Sequence, residues 1–172
     1  MAPRGEPTVK DLPVRKSNRL KDYDYSQAGY YFITICVSDG NDLLGDIVAG
    51  QLSLSEYGKT VKLEIEKIPT VRKECIIQKY VVMPNHIHMI VQIVGDDGNR
   101  PAERADCHLP LQKSISNMVQ GLKGAVTRRL GFSIWQRSFH DHIIRDEAEY
   151  QRIWLYIDEN PQRWNEDCYY TE

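Results

Sequence analysis

Apolar and polar positions along this chain follow two periods. Tyr30-Tyr31-Phe32-Ile33-Thr34-Ile35-Cys36-Val37 is β-branched and aromatic and stops at Ser38-Asp39-Gly40-Asn41, which predicts a first strand and its turn. Short strands are expected over 45–48 and 51–54. A helix then starts near Ser55 and runs through Val61, Ile65 and Ile68 to a stop at Pro69, with Gly58 working against it. Residues 75–82 read as a second main strand, Pro84-Asn85 as a turn and residues 86–94 as the returning strand of a hairpin. The stretch from 95 to 110 is charged, contains glycine and proline, and has no period, as a surface loop would. From 112 to 130, Ile115, Met118, Val119, Leu122, Ala125, Val126 and Leu130 recur at helical spacing before Gly131. Residues 132–135 and 142–145 read as the last sheet strand and its approach. A final helix over 147–160 follows the capping-box form Asp146-Glu147-Ala148-Glu149 and presents Tyr150, Ile153, Trp154 and Ile157 on one face, with Pro161 ending it.

Strand, helix, hairpin, helix, strand, helix implies an α+β fold: an antiparallel sheet with helices packed on one face and the other face open to a substrate. With 172 residues, 41% of them hydrophobic, the chain reads as one domain spanning 1–172, within which 1–29 is a basic arm or loop. The formal net charge of -2 excludes a global field for polyanions, so affinity for nucleic acid has to come from local clusters. Four dispersed cysteines, Cys36, Cys75, Cys107 and Cys168, contain no C-x-x-C pair, which argues against a zinc ribbon or redox dithiol and for a reduced, cytoplasmic protein. No apolar run is long enough to span a bilayer, and no membrane partner is expected.

The candidate chemistry lies in Met83-Pro84-Asn85-His86-Ile87-His88-Met89-Ile90-Val91. On a strand, His86 and His88 share one face while Ile87, Met89 and Val91 take the other. Two imidazoles so placed can ligate a metal, or simply hydrogen-bond at the sheet surface, and both readings stay open. Tyr156 and Asn160, four residues apart, share a face of the last helix and offer a phenol and an amide oxygen to one site. A phenol of ordinary pKa near ~10 needs a cation or a polarised electrophile to act as a nucleophile. His140 and His142, in Trp135-Gln136-Arg137-Ser138-Phe139-His140-Asp141-His142, form a rival pair for which a supporting role is expected, and His108 is expected to be uninvolved. Arg15, Lys16, Arg19 and Lys21 precede Tyr23 and Tyr25, a mixture that can hold phosphates and stack bases but also suits a solvated terminus.

Val81-Val82-Met83-Pro84-Asn85-His86-Ile87-His88, the Trp135–His142 segment and Tyr156-Ile157-Asp158-Glu159-Asn160-Pro161, with Arg15-Lys16-Ser17-Asn18-Arg19-Leu20 ahead of the first strand, resemble the REP-associated tyrosine transposases. These are relatives of the single-strand insertion-sequence transposases within the HUH endonuclease superfamily. The resemblance implies a ferredoxin-like, RRM-like HUH fold in which His86, His88 and Asn160 hold Mg²⁺ or Mn²⁺ and Tyr156 attacks a DNA phosphate, leaving a 5′-phosphotyrosine. Asn160 departs from the glutamine frequent in the insertion-sequence relatives and is shorter, so a water can bridge it to the ion. The implied partners are single-stranded DNA hairpins, contacted by Arg15, Lys16, Arg19, Lys21, Lys123, Arg128, Arg129 and Arg137. The resemblance implies a monomer or a homodimer: insertion-sequence relatives form dimers, whereas REP-associated members can act as monomers, and a monomer is expected here. Two other readings remain: a domesticated nucleic-acid-binding protein without cleavage, and a small zinc hydrolase that gives Tyr156 no task.

Overall fold

In the computed structural model, residues 28–94 and 112–170 are described. The expected arm, apart from its last two residues, and the expected loop over 95–110 lie outside them. Strand β1 (Gly29–Cys36) is followed by the short strands β2 (Gly45–Val48) and β3 (Gln51–Leu54), helix α1 (Glu56–Glu66) and a single-turn helix α2 (Ile68–Val71). The hairpin β4 (Cys75–Val82) and β5 (His86–Ile93), helix α3 (Gln112–Leu130), strand β6 (His140–Ile144) and helix α4 (Glu147–Glu159) complete the order.

Four strands form one antiparallel sheet in the order β4-β5-β1-β6, and β2 pairs with β3 in a separate ribbon. The β1-α1-β4-β5-α3-β6 path with this strand order is the split β-α-β-β-α-β arrangement of ferredoxin-like folds. The β2–β3 connection is the two-residue turn Ala49-Gly50, with φ of 53° and 75°, as a tight hairpin matching strand twist requires.

Period-two alternation gives the sheet two apolar faces. On one, Ile33, Ile35, Ile87, Met89 and Val91 are buried in a core shared with Val61 and Ile65 of α1 and Met118, Val119, Leu122 and Val126 of α3. On the other, Phe32, Ile90 and Ile144 meet Ile153, Trp154 and Ile157 of α4. The fold is α+β as expected, but the helices do not all keep to one face: α1 and α3 do, whereas α4 lies opposite. The cause is legible in the residues, since Phe32, Ile90 and Ile144 provide an apolar seat that the stripe on α4 can bury. Lys79 of β4 also pairs with Asp158 and lies with its ammonium 4.9 Å from the Trp154 ring centroid.

Local signals account for most element ends. Ser55 caps α1 by accepting from Gly58 N at 3.1 Å, and Asp146 caps α4 by accepting from Glu149 N at 2.8 Å. Pro69 does not stop a helix at that point: α1 has already ended at Glu66, and Pro69 sits in the first turn of α2, where its missing N–H costs nothing. Residues 132–135 are not a strand; Trp135 makes one bridge to Val37, and β6 starts at His140. Among the described residues no helix is long and apolar enough to cross a membrane.

Gly58 is required by packing rather than by backbone conformation. A Cβ built there would lie 1.9 Å from the Leu44 carbonyl oxygen. The usual helix preference for alanine therefore reverses sign at this position. Gly58→Ala is expected to destabilise the protein by about 1–3 kcal/mol in denaturant unfolding. Gly124→Ala, where the nearest contact is the Arg128 side chain at 3.4 Å, is expected to be neutral or to stabilise by up to about 1 kcal/mol. Equal effects at the two glycines would refute the packing argument.

Candidate active site

The β4–β5 turn feeds directly into His86, so both histidines stand at the start of β5 on the face that carries α4. Register places His86 opposite Cys36 and His88 opposite Thr34 of β1. Both imidazoles are fully buried, at 0% and 1% exposure, and their Nε2 atoms face each other at 2.9 Å. The outward nitrogens are also engaged: His86 Nδ1 lies 2.9 Å from Asn85 Oδ1, and His88 Nδ1 lies 2.8 Å from the Thr34 hydroxyl. Burial holds His86 down at about 4, with the Asp167 charge pulling back up. His88 lies well below its ordinary value, through burial and then repulsion from His86. Both rings are therefore neutral near pH 7, the form that can donate a lone pair to a cation.

Helix α4 brings two further groups to the pair. Seated by Ile153, Trp154 and Ile157, it projects Tyr156 and Asn160 from its last turn. The Tyr156 hydroxyl is 3.2 Å from His88 Nε2 and donates to Asp167 Oδ2 at 3.1 Å, while its ring crosses Phe32 nearly at right angles. Tyr156 is 40% exposed, so the phenol sits where the buried histidines meet solvent. Burial first, and the neighbouring Asp167 carboxylate second, raise its pKa and keep it protonated.

Asn160 is 3% exposed and donates through Nδ2 to Asp167 Oδ2 at 2.6 Å. That bond fixes the amide and turns Oδ1 the other way, where among the described residues this buried oxygen has no hydrogen-bond partner. An unpaired buried carbonyl is a poor outcome for folding alone, and with neutral imidazoles it is one of the donor types a divalent cation accepts. The residues thus fit the ion that the motifs imply.

The segment after α4 completes the site, and nothing in the sequence pattern pointed to it. A short turn at Trp164–Glu166 returns the chain over the histidines, burying Trp164 and setting the Tyr169 ring 4.6 Å from that of His86. Asp167 accepts from Tyr156, Asn160 and the Tyr169 backbone, and could itself hold a metal: ligand atoms of His86, His88 and Asp167 all lie within 4.8 Å of one another. Tyr156, Glu159, Asn160, Arg163, Glu166 and Asp167 line a cavity of about 120 Å³ at the mouth. Thr34 and Asn85 were legible in principle, Thr34 from strand alternation across from His88 and Asn85 from its place beside His86; Asp167 carries no spacing signal.

The remaining candidates are dispersed. Lys123 is half-buried and donates to the carbonyls of Gln136 and Ser138 at 2.8 Å each, so it braces the approach to β6. Arg129 pairs with Glu64 at 2.7 Å, whereas Arg128 and Arg137 are exposed. Arg15, Lys16, Arg19, Lys21 and His108 lie outside the described residues. Of the second histidine pair, His142 bonds Glu149 at 2.7 Å, and His140 is aligned with Thr34 on the side of β1 away from His88.

No protein-family model matches the chain. An uncharacterized protein of Haemophilus influenzae is 37% identical over 175 residues, covering 92% of this chain and 94% of its own length. A second protein of that organism, named as a REP-associated tyrosine transposase, is 25% identical over 139 residues, or 80% of this chain and 73% of its own. The solved structure of a REP-associated tyrosine transposase bound to a REP hairpin has the same fold, with a TM-score of 0.61 at 22% identity over 88% of this chain and 74% of that one. The chain is thus related over nearly its full length to the uncharacterized protein, is similar in sequence to a named REP-associated tyrosine transposase and shares the fold of another, in agreement with the motifs in the strand and helix.

Proposed function

We propose that this protein is a metal-dependent single-strand DNA transposase that cleaves and rejoins DNA at palindromic hairpins, with residues 1–172 acting as one domain. The observation that carries the reading is the pair of facing neutral imidazoles with the Tyr156 hydroxyl in reach of one of them, and, at the end of the same helix as that phenol, a buried Asn160 Oδ1 without a partner among the described residues. His86 Nε2, His88 Nε2 and the unpartnered Asn160 Oδ1 can hold Mg²⁺ or Mn²⁺, with Tyr156 in contact with one of the ligands. When bound, the ion would supply Lewis acidity at a phosphate oxygen and the positive charge that favours a phenolate.

The chain's own groups supply the rest. The Tyr156 oxygen forms the new bond to phosphorus as the bond to the 3′ oxygen breaks, leaving a 5′-phosphotyrosine and a 3′ oxygen that takes a proton from solvent to become a free 3′-hydroxyl. The phenol proton has an acceptor in place, Asp167 Oδ2 at 3.1 Å. The phosphotyrosine conserves the energy of the broken diester, so the reverse reaction on another 3′ end needs no high-energy cofactor. Because Tyr156 reaches His88 of its own chain, the arrangement supports catalysis within one subunit and a monomer. Exposed Arg128 and Arg137, together with Arg15, Lys16, Arg19 and Lys21 of the arm, are the proposed hairpin contacts. Lys123 and Arg129 would first have to leave their present partners.

One observation favours a second reading: His86, His88 and Asp167 are also the donor set of a small zinc hydrolase. The two readings part at Tyr156. With Mn²⁺ and single-stranded DNA carrying a palindrome, the wild-type protein is expected to form a covalent protein–DNA band on a denaturing gel, and Tyr156→Phe to form none while still shifting the hairpin on a native gel. Cleavage that survives Tyr156→Phe would sink the transposase reading and support the hydrolase. Asn160→Leu, which keeps volume but removes both the oxygen and the Nδ2 bond to Asp167, is expected to weaken Mn²⁺ binding by about 10-fold or more and to lower cleavage in step. Unchanged Mn²⁺ affinity in a titration would remove Asn160 from the ligand set.

A further inference from the structure

Asn85 occupies the β4–β5 turn, is 3% exposed, and has polar neighbours at both ends of its side-chain amide, the Asp42 carboxylate among them. Its Nδ2 donates to the carbonyls of Gly40 at 3.3 Å and Tyr169 at 2.8 Å, and its Oδ1 lies 2.9 Å from His86 Nδ1. The two carbonyls can only accept. Turning the amide around would set its oxygen against both of them, so its orientation is determined. An amide oxygen also only accepts, so His86 Nδ1 must carry the ring proton. The lone pair of His86 is then on Nε2, aimed at His88 Nε2 at 2.9 Å. His88 is held differently. Its Nδ1 meets the Thr34 hydroxyl at 2.8 Å, and a hydroxyl can donate or accept, so Thr34 satisfies either tautomer.

We propose that Asn85 is a positioning residue that locks His86 in its Nδ1-protonated tautomer, while Thr34 leaves His88 free to change tautomer. This inference rests on the metal reading of the site and deepens it. Without a cation, one of two facing Nε2 atoms must carry a proton for them to bond, and the lock on His86 assigns that proton to His88. Placing a cation between the rings requires the lone pairs of both. His86 already offers its own. His88 exchanges its Nε2–H for an Nδ1–H through solvent, and the Thr34 hydroxyl turns from donating to accepting, so the proton count is unchanged. One ligand is thus fixed and the other adjustable, and the same Asn85 amide ties the site to the Gly40 turn and to the returning Tyr169 segment.

Long-range ¹H–¹⁵N spectra of protein labelled at the histidine ring nitrogens read tautomers directly and need no metal. The chain has five histidines, and His86→Gln identifies the His86 signals. The wild type is expected to show His86 as the Nδ1–H tautomer. Asn85→Ala is expected to give a mixture at His86, with Mn²⁺ affinity from an EPR titration reduced about 10–100-fold. Asn85→Asp keeps an acceptor opposite Nδ1 but sets its second oxygen against the Gly40 and Tyr169 carbonyls, so it is expected to retain the tautomer at a cost in stability, and Thr34→Val to leave His86 unchanged. An Nε2–H tautomer for His86 in the wild type would overturn the lock, as would an Asn85→Ala protein with tautomer and affinity unaltered. If Asn85→Ala does not fold, the wild-type and Asn85→Asp spectra decide. A locked His86 in a protein that binds no Mn²⁺ would uphold the lock and overturn the metal reading instead.

Discussion

Two imidazoles packed edge to face inside a protein are costly unless each ring nitrogen has a partner. Here His86 and His88 lie with centroids 4.4 Å apart, and all four nitrogens are engaged. The rest of the site follows from meeting that demand. Thr34 must sit on the central strand β1 opposite His88, Asn85 must close the hairpin turn, and α4 must cross the second face of the sheet to bring Tyr156 within reach. The placement of α4 opposite α1 and α3 is thus as much a requirement of the site as a solution for its own apolar stripe. A helix laid with the other two would leave Phe32 and Ile90 exposed and the histidines in open water.

Elements with a strong local signal were legible in the sequence. The period-two runs of β1, β4 and β5 and the capped, periodic stretches of α3 and α4 could be placed from residues alone, because burial on one or two faces writes itself into spacing. Where a single packing contact decides, the pattern was silent. Gly58 argued against a helix by propensity, yet sits in α1 because a Cβ would strike the Leu44 carbonyl oxygen. Trp135 read as strand and makes only one bridge, its ring being anchored in the core between elements.

The same division runs through the site. His86, His88, Tyr156 and Asn160 come together from a strand and a helix whose periods set their faces. Asp167 reaches them from an irregular return of the chain, where neither spacing nor propensity constrains direction, and only the closed structure shows that it bonds Tyr156 and Asn160. Lys123 shows the converse. Its place on the polar face of α3 suggested a phosphate contact, but two backbone carbonyls that need donors already hold its ammonium.

On the proposed reading, charge favours a divalent cation in particular. Burial keeps both imidazoles neutral, so they contribute lone pairs and no charge. Asn160, the C-cap of α4, is neutral too, but it marks the C-terminal end of the helix, where the helix dipole adds about half a negative charge. Asp167 adds a full one at the same end. A DNA phosphodiester entering beside Tyr156 would bring a second full negative charge into a poorly solvated place, and repulsion from Asp167 alone would oppose it. A monovalent ion would leave that sum negative. A dication would cancel one carboxylate and one phosphodiester, which would let Asp167, the proposed acceptor of the phenol proton, and an anionic substrate occupy one small cavity together.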